Sequence, residues 1–159
     1  MAAALALVWV APEHNERPPP GGETSHKTGN GHSAPATILV VEDEVLIRLS
    51  VADHLRDCGY RVVEAASGEE AQEILRTGEP VEILFSDVDL GDGMSGLELS
   101  QWTREHFPMV RILLTSGVAR MHEEAAHLCD GPFFNKPYSH ESLSDQVKRL
   151  LGMFGRRSG

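Results

Sequence analysis

Positive charge is scarce in this chain. Its 159 residues hold 14 Lys and Arg against 24 Asp and Glu, a formal net charge of −10. That balance argues against a nucleic-acid partner, because phosphate contacts need clustered Lys and Arg. The only basic cluster is short, Arg156 and Arg157. Cysteine is scarcer still, with Cys58 and Cys129 alone. Neither belongs to a CxxC pair, and the eight histidines form no HxxxH pair. A structural zinc site is therefore not expected, and the two thiols fit a reducing cytoplasm. The apolar run at residues 2–11 spans ten residues, where a bilayer crossing needs about 20. It lacks the preceding Lys or Arg of a secretory signal. No stable membrane insertion is expected from it, and at most a weak surface contact through Trp9.

What is present suits one soluble domain. Apolar residues make up 41% and charged residues 24%, and a domain of about 120 residues buries a core without staples. Residues 12–35 are rich in Pro, Gly, Ser, Thr and His. They cannot bury enough apolar surface to offset chain entropy. The expected organisation is a disordered leader over 1–35, one folded domain over 36–152 and a flexible tail over 153–159.

Within the domain the pattern alternates. ILVV (38–41) is a continuous β-branched run, as in a strand buried on both faces. Residues 45–58 read as a helix, with Leu46, Leu49, Ala52 and Leu55 on related faces and Gly59 as its stop. YRVVEA (60–65) is a second strand. Ser67 with Glu70 forms a capping box for a helix to about Arg76. VEILFSD (81–87) is a third strand, followed by the loop VDLGDGMSG (88–96) and a helix to His106. VRILLTS (110–116) is a fourth strand, with a short helix at 119–129. PFFN (132–135) is a fifth, and Ser139 opens a last helix to about Leu151. Strands and helices in strict alternation predict an α/β, three-layer open sheet of five parallel strands.

Ligands of such sheets bind outside the carboxyl ends of the strands, where the strand order switches. Glu42 and Asp43 follow the first strand, Asp87 and Asp89 the third, Thr115 and Ser116 the fourth, and Lys136 the fifth. Singly, each is an ordinary turn or cap residue. Together they place acids, a hydroxyl and a lysine at one edge. Gathered carboxylates repel, and each pKa rises unless a cation sits among them. A hard divalent cation, Mg²⁺ foremost, fits oxygen ligands of this kind. A carboxylate beside it can act as a nucleophile and form an acyl phosphate, with the lysine balancing phosphoryl charge.

ILVVEDE (38–44), FSDVDL (85–90), ILLTSG (112–117) and FFNKPYS (133–139) resemble, in order and spacing, the signature segments of response-regulator receiver domains. The resemblance covers about residues 36–152 and implies the flavodoxin-like (βα)5 fold. It implies Asp87 as phosphoacceptor and Glu42, Asp43, Asp87 and the backbone carbonyl of Asp89 as the Mg²⁺ site. It implies Thr115 and Lys136 as phosphate contacts, with Thr115 and Phe133 as the switch pair. It also implies a Lys136–Pro137 bond of the kind that is often cis. The implied role is a cytoplasmic signalling receiver, not a stand-alone enzyme. It would take its phosphoryl group from a sensor histidine kinase or histidine phosphotransfer protein, and signal to an unknown protein target or pass the group on. A phosphorylation-dependent dimer is compatible with it. With about eight residues after the last helix, no output domain is expected.

Three features depart from the family pattern. The acidic pair is Glu-Asp, not Asp-Asp. The loop LGDGMSG has no proline and one residue more than usual, and its glycines suggest a looser segment. Asp89 places a negative side chain where many members have a neutral one. Two other readings stand beside the receiver. Asp87-Val88-Asp89 resembles the DxD motif of haloacid-dehalogenase-type, Mg²⁺-dependent phosphohydrolases, although their acidic pair follows the motif instead of preceding it. A flavodoxin-like flavin binder shares the topology, but Glu42-Asp43-Glu44 would repel a phosphate there.

Overall fold

A computed structural model describes residues 34–118 and 125–152. The expected leader, but for its last two residues, the tail, and positions 119–124 of the expected helix at 119–129 lie outside the described residues. The chain runs β1 (Thr37–Val41), α1 (Val45–Asp57), β2 (Arg61–Ala65), α2 (Gly68–Arg76), β3 (Val81–Asp87), α3 (Gly96–His106), β4 (Arg111–Ser116), β5 (Phe134–Asn135) and α4 (His140–Gly152). All strand pairs are parallel, in the order β2-β1-β3-β4-β5. The expected α/β sheet of five parallel strands is present. Its order switches between β1 and β3, so their carboxyl ends open on a common crevice.

The continuous apolar runs have the burial they call for. Every residue of β1 is buried, and Ile83, Leu84, Ile112, Leu113 and Leu114 are fully so. Alternation then sorts them into two layers. Leu39, Leu84, Ile112 and Leu114 pack with Ala71 and Leu75 of α2 and Leu99 of α3. Ile38, Val40, Ile83 and Leu113 pack with Val51 and Leu55 of α1 and Leu143, Val147 and Leu150 of α4. Each fully buried side chain of this kind contributes roughly 1.5–3 kcal/mol.

Helix ends follow from local chemistry. Ser67 caps α2 by accepting the Glu70 N–H at 3.2 Å. Glu70 reaches back to Ala66 N–H, one residue before the cap, so only half of the expected box is made. A complete box that the sequence reading passed over sits at α3, where Ser95 and Glu98 satisfy each other's N–H groups. Ser139 accepts the Ser142 N–H at 3.1 Å and opens α4.

Two expectations need correction. Leu46 and Leu49 do not join the core: they are 82% and 43% exposed, and the buried stripe of α1 is Val51, Ala52 and Leu55. Helical spacing marks a shared face but not what covers it. β5 is two residues long instead of four. Its pairing with β4 is limited to Thr115–Phe134 and Ser116–Asn135.

Candidate functional site

The first arm of the site is the turn after β1. Glu42 is 3% exposed, and its Oε1 accepts the Glu44 N–H at 3.3 Å. Arg48, from the first turn of α1, donates through Nη1 to the Glu42 carbonyl at 2.6 Å and to the Asp43 carbonyl at 3.5 Å. Its Nε lies 3.6 Å from Glu64 on β2. A cation thus fastens the acidic turn by its backbone, leaving the Asp43 side chain exposed. Arg48 was missed in the sequence. The signal was a basic residue six positions after the first acid, on the helix facing it.

The second arm is the end of β3. Asp87 is 6% exposed. Its Oδ1 accepts the Asp89 N–H at 3.2 Å, and its Oδ2 accepts from Lys136 Nζ at 2.5 Å. Gly96 starts α3 directly against this strand end, where a Cβ would overlap the Asp87 carbonyl oxygen. Lys136 enters from the end of β5, ahead of a cis bond to Pro137. Its Nζ also donates to Glu42 Oε2 at 2.8 Å. One ammonium is therefore shared by two buried carboxylates.

Carboxylate oxygens of Glu42, Asp43 and Asp87 all lie within 4.8 Å of one another. Burial, reinforced by the Asp87 charge, holds the Glu42 carboxyl above its ordinary pKa, although Lys136 opposes the shift. Burial alone would lower the Lys136 pKa. The hydrogen bonds and charges of Asp87 and Glu42 outweigh it and hold that pKa above its ordinary value. Three carboxylates facing one ammonium leave a formal excess of two negative charges. The donors are all oxygen, and the deficit is that of one divalent cation, so these residues fit Mg²⁺.

The other expected residues fall at graded distances from this centre. Asp89 lines the same cleft, of about 350 Å³, with Asp43, Asp87, Ser116 and Lys136. Its side chain accepts from its own loop, the Gly91 N–H at 3.4 Å. Thr115 stands beside Asp87 in the sheet register, and its carbonyl accepts the Val88 N–H at 2.9 Å. Its hydroxyl is fully buried and finds no hydrogen-bond partner among the described residues. Phe133 is half-buried and packs against the α2–α3 side of the sheet. Phe134 points to the other side, where its ring meets Phe85 edge-on at 6.2 Å. The structure thus brings Glu42, Asp43, Asp87 and Lys136 into one cluster, sets Asp89 on its rim and Thr115 beneath it, and leaves Phe133 on a flank.

The loop after Asp87 is tied at one point. Gly91 and Gly93 take φ of 73° and 101°, a region that glycine enters without strain. Glu69, in the first turn of α2, accepts the Met94 N–H at 2.8 Å. That bond holds its carboxyl below the ordinary carboxylate pKa. The glycines allow the path, and a carboxylate 25 residues earlier fixes it.

The family model of the response regulator receiver domain matches residues 38–148. The chain belongs to the response regulator receiver family. Its fold and acidic edge are those of a signalling module. Among curated proteins it is similar to the sensor kinase CckA of Brucella abortus, 37% identical over 75% of this chain and 13% of that protein. It is 28% identical to sporulation initiation phosphotransferase F of Bacillus subtilis, over 72% of this chain and 92% of that one. Among solved structures it matches the response regulator TrrA of Thermotoga maritima in complex with Mg(2+)-BeF. The TM-score there is 0.66 and the identity 28%, over 72% of this chain and 98% of that one. The chain spans 13%, 52% and 64% of the first three curated relatives it matches. No helix among the described residues is long and apolar enough to cross a membrane.

Proposed function

We propose that this chain is a phosphoacceptor receiver that takes a phosphoryl group onto Asp87 from a phosphohistidine of a sensor kinase or phosphotransfer protein. The observation that carries the reading is the Asp87 carboxylate, buried at a strand end between Lys136 at 2.5 Å and the carboxylates of Glu42 and Asp43. An Asp87 oxygen attacks phosphorus, the P–N bond to the donor imidazole breaks, and the imidazole keeps the electron pair and takes a proton. Lys136 accompanies the charge that builds on the equatorial oxygens. Glu42, Asp43, Asp87 and the Asp89 carbonyl would hold Mg²⁺, which when bound supplies charge neutralisation for the incoming phosphoryl group. The unpartnered Thr115 hydroxyl donates to a phosphoryl oxygen, and its displacement is read on the flank where Phe133 packs. Hydrolysis returns Asp87 to its carboxylate, the only turnover the site performs.

Output runs through protein contacts or onward relay in the cytoplasm. The exposed side chains of Val45, Leu46 and Leu49 support a docking surface on α1, next to the acceptor's rim. The DxD phosphohydrolase reading loses ground. The Asp89 side chain is engaged with its own loop, and the acidic pair Glu42 and Asp43 follows β1, ahead of the motif in the chain.

The test is incubation with acetyl phosphate, with and without Mg²⁺, read by intact mass. One phosphoryl adduct is expected on wild type with Mg²⁺ and none on Asp87→Asn. An adduct of equal yield on Asp87→Asn would overturn the assignment.

A further inference from the structure

Away from the acidic cleft, α1 ends on a pair whose spacing is neither HxxxH nor CxxC. His54 and Cys58 are four residues apart, hence on one side of the helix. Cys58 Sγ lies 3.7 Å from His54 Nε2. The helix end is fixed there, since the Cys58 N–H donates to the His54 carbonyl at 3.1 Å. Across the seam stands His140, the first residue of α4, with ring centroids 5.1 Å apart and planes tilted by 39°. Cys58 is exposed and both imidazoles are half-buried. His54 thus touches a thiol of its own helix on one side and an imidazole of a second helix on the other, where solvent reaches.

Bond lengths say what such a trio suits. In a tetrahedral zinc site, metal–sulfur near 2.3 Å and metal–nitrogen near 2.0–2.1 Å place S and N about 3.6 Å apart. The His54–Cys58 pair already has that separation within about 0.1 Å. A thiol–imidazole hydrogen bond has a similar length, so His140 is the deciding observation: a second imidazole stands against His54 from a different element. Among the described residues, only Glu42, Asp43 and Asp87 already hold three ligand atoms within 4.8 Å. The ligand atoms of His54, Cys58 and His140 are not yet gathered to that distance, so binding requires a side-chain rotation of His140, at a partly exposed helix start. The donor classes also segregate. Oxygen at the cleft selects a hard ion, whereas thiolate and imidazole select a borderline one.

We propose that His54, Cys58 and His140 form a site for a thiophilic divalent cation of the Zn²⁺ or Co²⁺ class, which clasps the end of α1 to the start of α4. On binding, the Cys58 proton leaves to solvent, each neutral imidazole gives one ring nitrogen, and water takes the fourth position. The clasp also fixes a groove, because His140 lines it together with Leu46, Ser50, Pro137 and Tyr138.

The experiment uses the full chain, reduced with a phosphine, with excess Mg²⁺ to occupy the acidic cleft. Co²⁺ is titrated in, followed by Zn²⁺ in competition. Wild type should develop a thiolate-to-cobalt charge-transfer band that Zn²⁺ abolishes. Cys58→Ser should lose the band and Cys129→Ser should keep it. His54→Ala and His140→Ala should each weaken binding about tenfold or more. Asp87→Asn should titrate as wild type does, which separates this site from the phosphoacceptor. No charge-transfer band, a band that survives Cys58→Ser, or wild-type affinity in either histidine variant would overturn the proposal. None of the three side chains is in the core, and circular dichroism checks each variant's fold.

Discussion

The two arms of the cleft are built on opposite principles. The β1–α1 turn carries acids and is held by a cation, Arg48, through carbonyl oxygens. The β3–α3 loop carries glycines and is held by an anion, Glu69, through the Met94 N–H. Arg48 is largely covered, with a side chain 14% exposed, and also pairs with Glu64. Glu69 is at the surface and holds one described loop bond. The difference separates duties. The first arm fixes where its carboxylates start from, while the second hangs on one bond at the surface.

Substitutions can break that contrast or refine it. The largest effect is expected from Gly96→Ala, which drives a Cβ into the Asp87 carbonyl at the root of the second arm. A loss of roughly 3 kcal/mol is expected, because backbone, not a flexible side chain, must yield. Urea unfolding measures it. Next comes Arg48→Met, which keeps the aliphatic stem and removes the cation. Losing a charge-assisted bond to the Glu42 carbonyl should cost about 2 kcal/mol of stability and weaken Mg²⁺ binding, read by calorimetry, about tenfold. Glu69→Gln should be milder, leaving the urea unfolding midpoint and Mg²⁺ affinity nearly unchanged, yet altering the decay of the phosphorylated form about threefold. An unchanged decay would remove the tuning role. The extra charge at Asp89 belongs to the same arm, and Asp89→Asn should likewise alter that lifetime.

The smallest effect is in pH. Glu69 titrates below the ordinary carboxylate range, chiefly because it accepts the Met94 N–H. Its contribution is present above that range and is lost as pH falls through the lowered value. Glu42 has the opposite sign, raised chiefly by burial. Its protonated form favours the fold, a contribution present below the ordinary range and lost as pH rises through the raised value. Carboxyl carbon shifts followed by NMR should show Glu42 protonating first on acidification and Glu69 well after it.

How far the sequence reaches differs along the same lines. β3 was legible to the residue, because VEILFSD is a near-continuous buried run that ends in an acid. The cluster of Glu42, Asp43, Asp87 and Lys136 was legible because parallel topology forces all strand ends to one edge. The covering of α1 was not, since an apolar stripe facing a core and one left at the surface have the same period. Arg48 and Glu69 escaped for another reason. Each acts through a side chain reaching another segment's backbone, and neither spacing nor composition encodes that reach. His54 and Cys58 were in view as residue types, but His140 joins them only once α4 lies beside α1.

Thr115 leaves a last consequence. A buried hydroxyl that finds no partner among the described residues costs about 1–3 kcal/mol wherever it stays unpaired. Any conformation in which that hydroxyl is paired starts with the same advantage, a bias of about five- to 150-fold in population. An acceptor oxygen brought within its reach would supply that pairing, and with it part of the driving force for a change of shape.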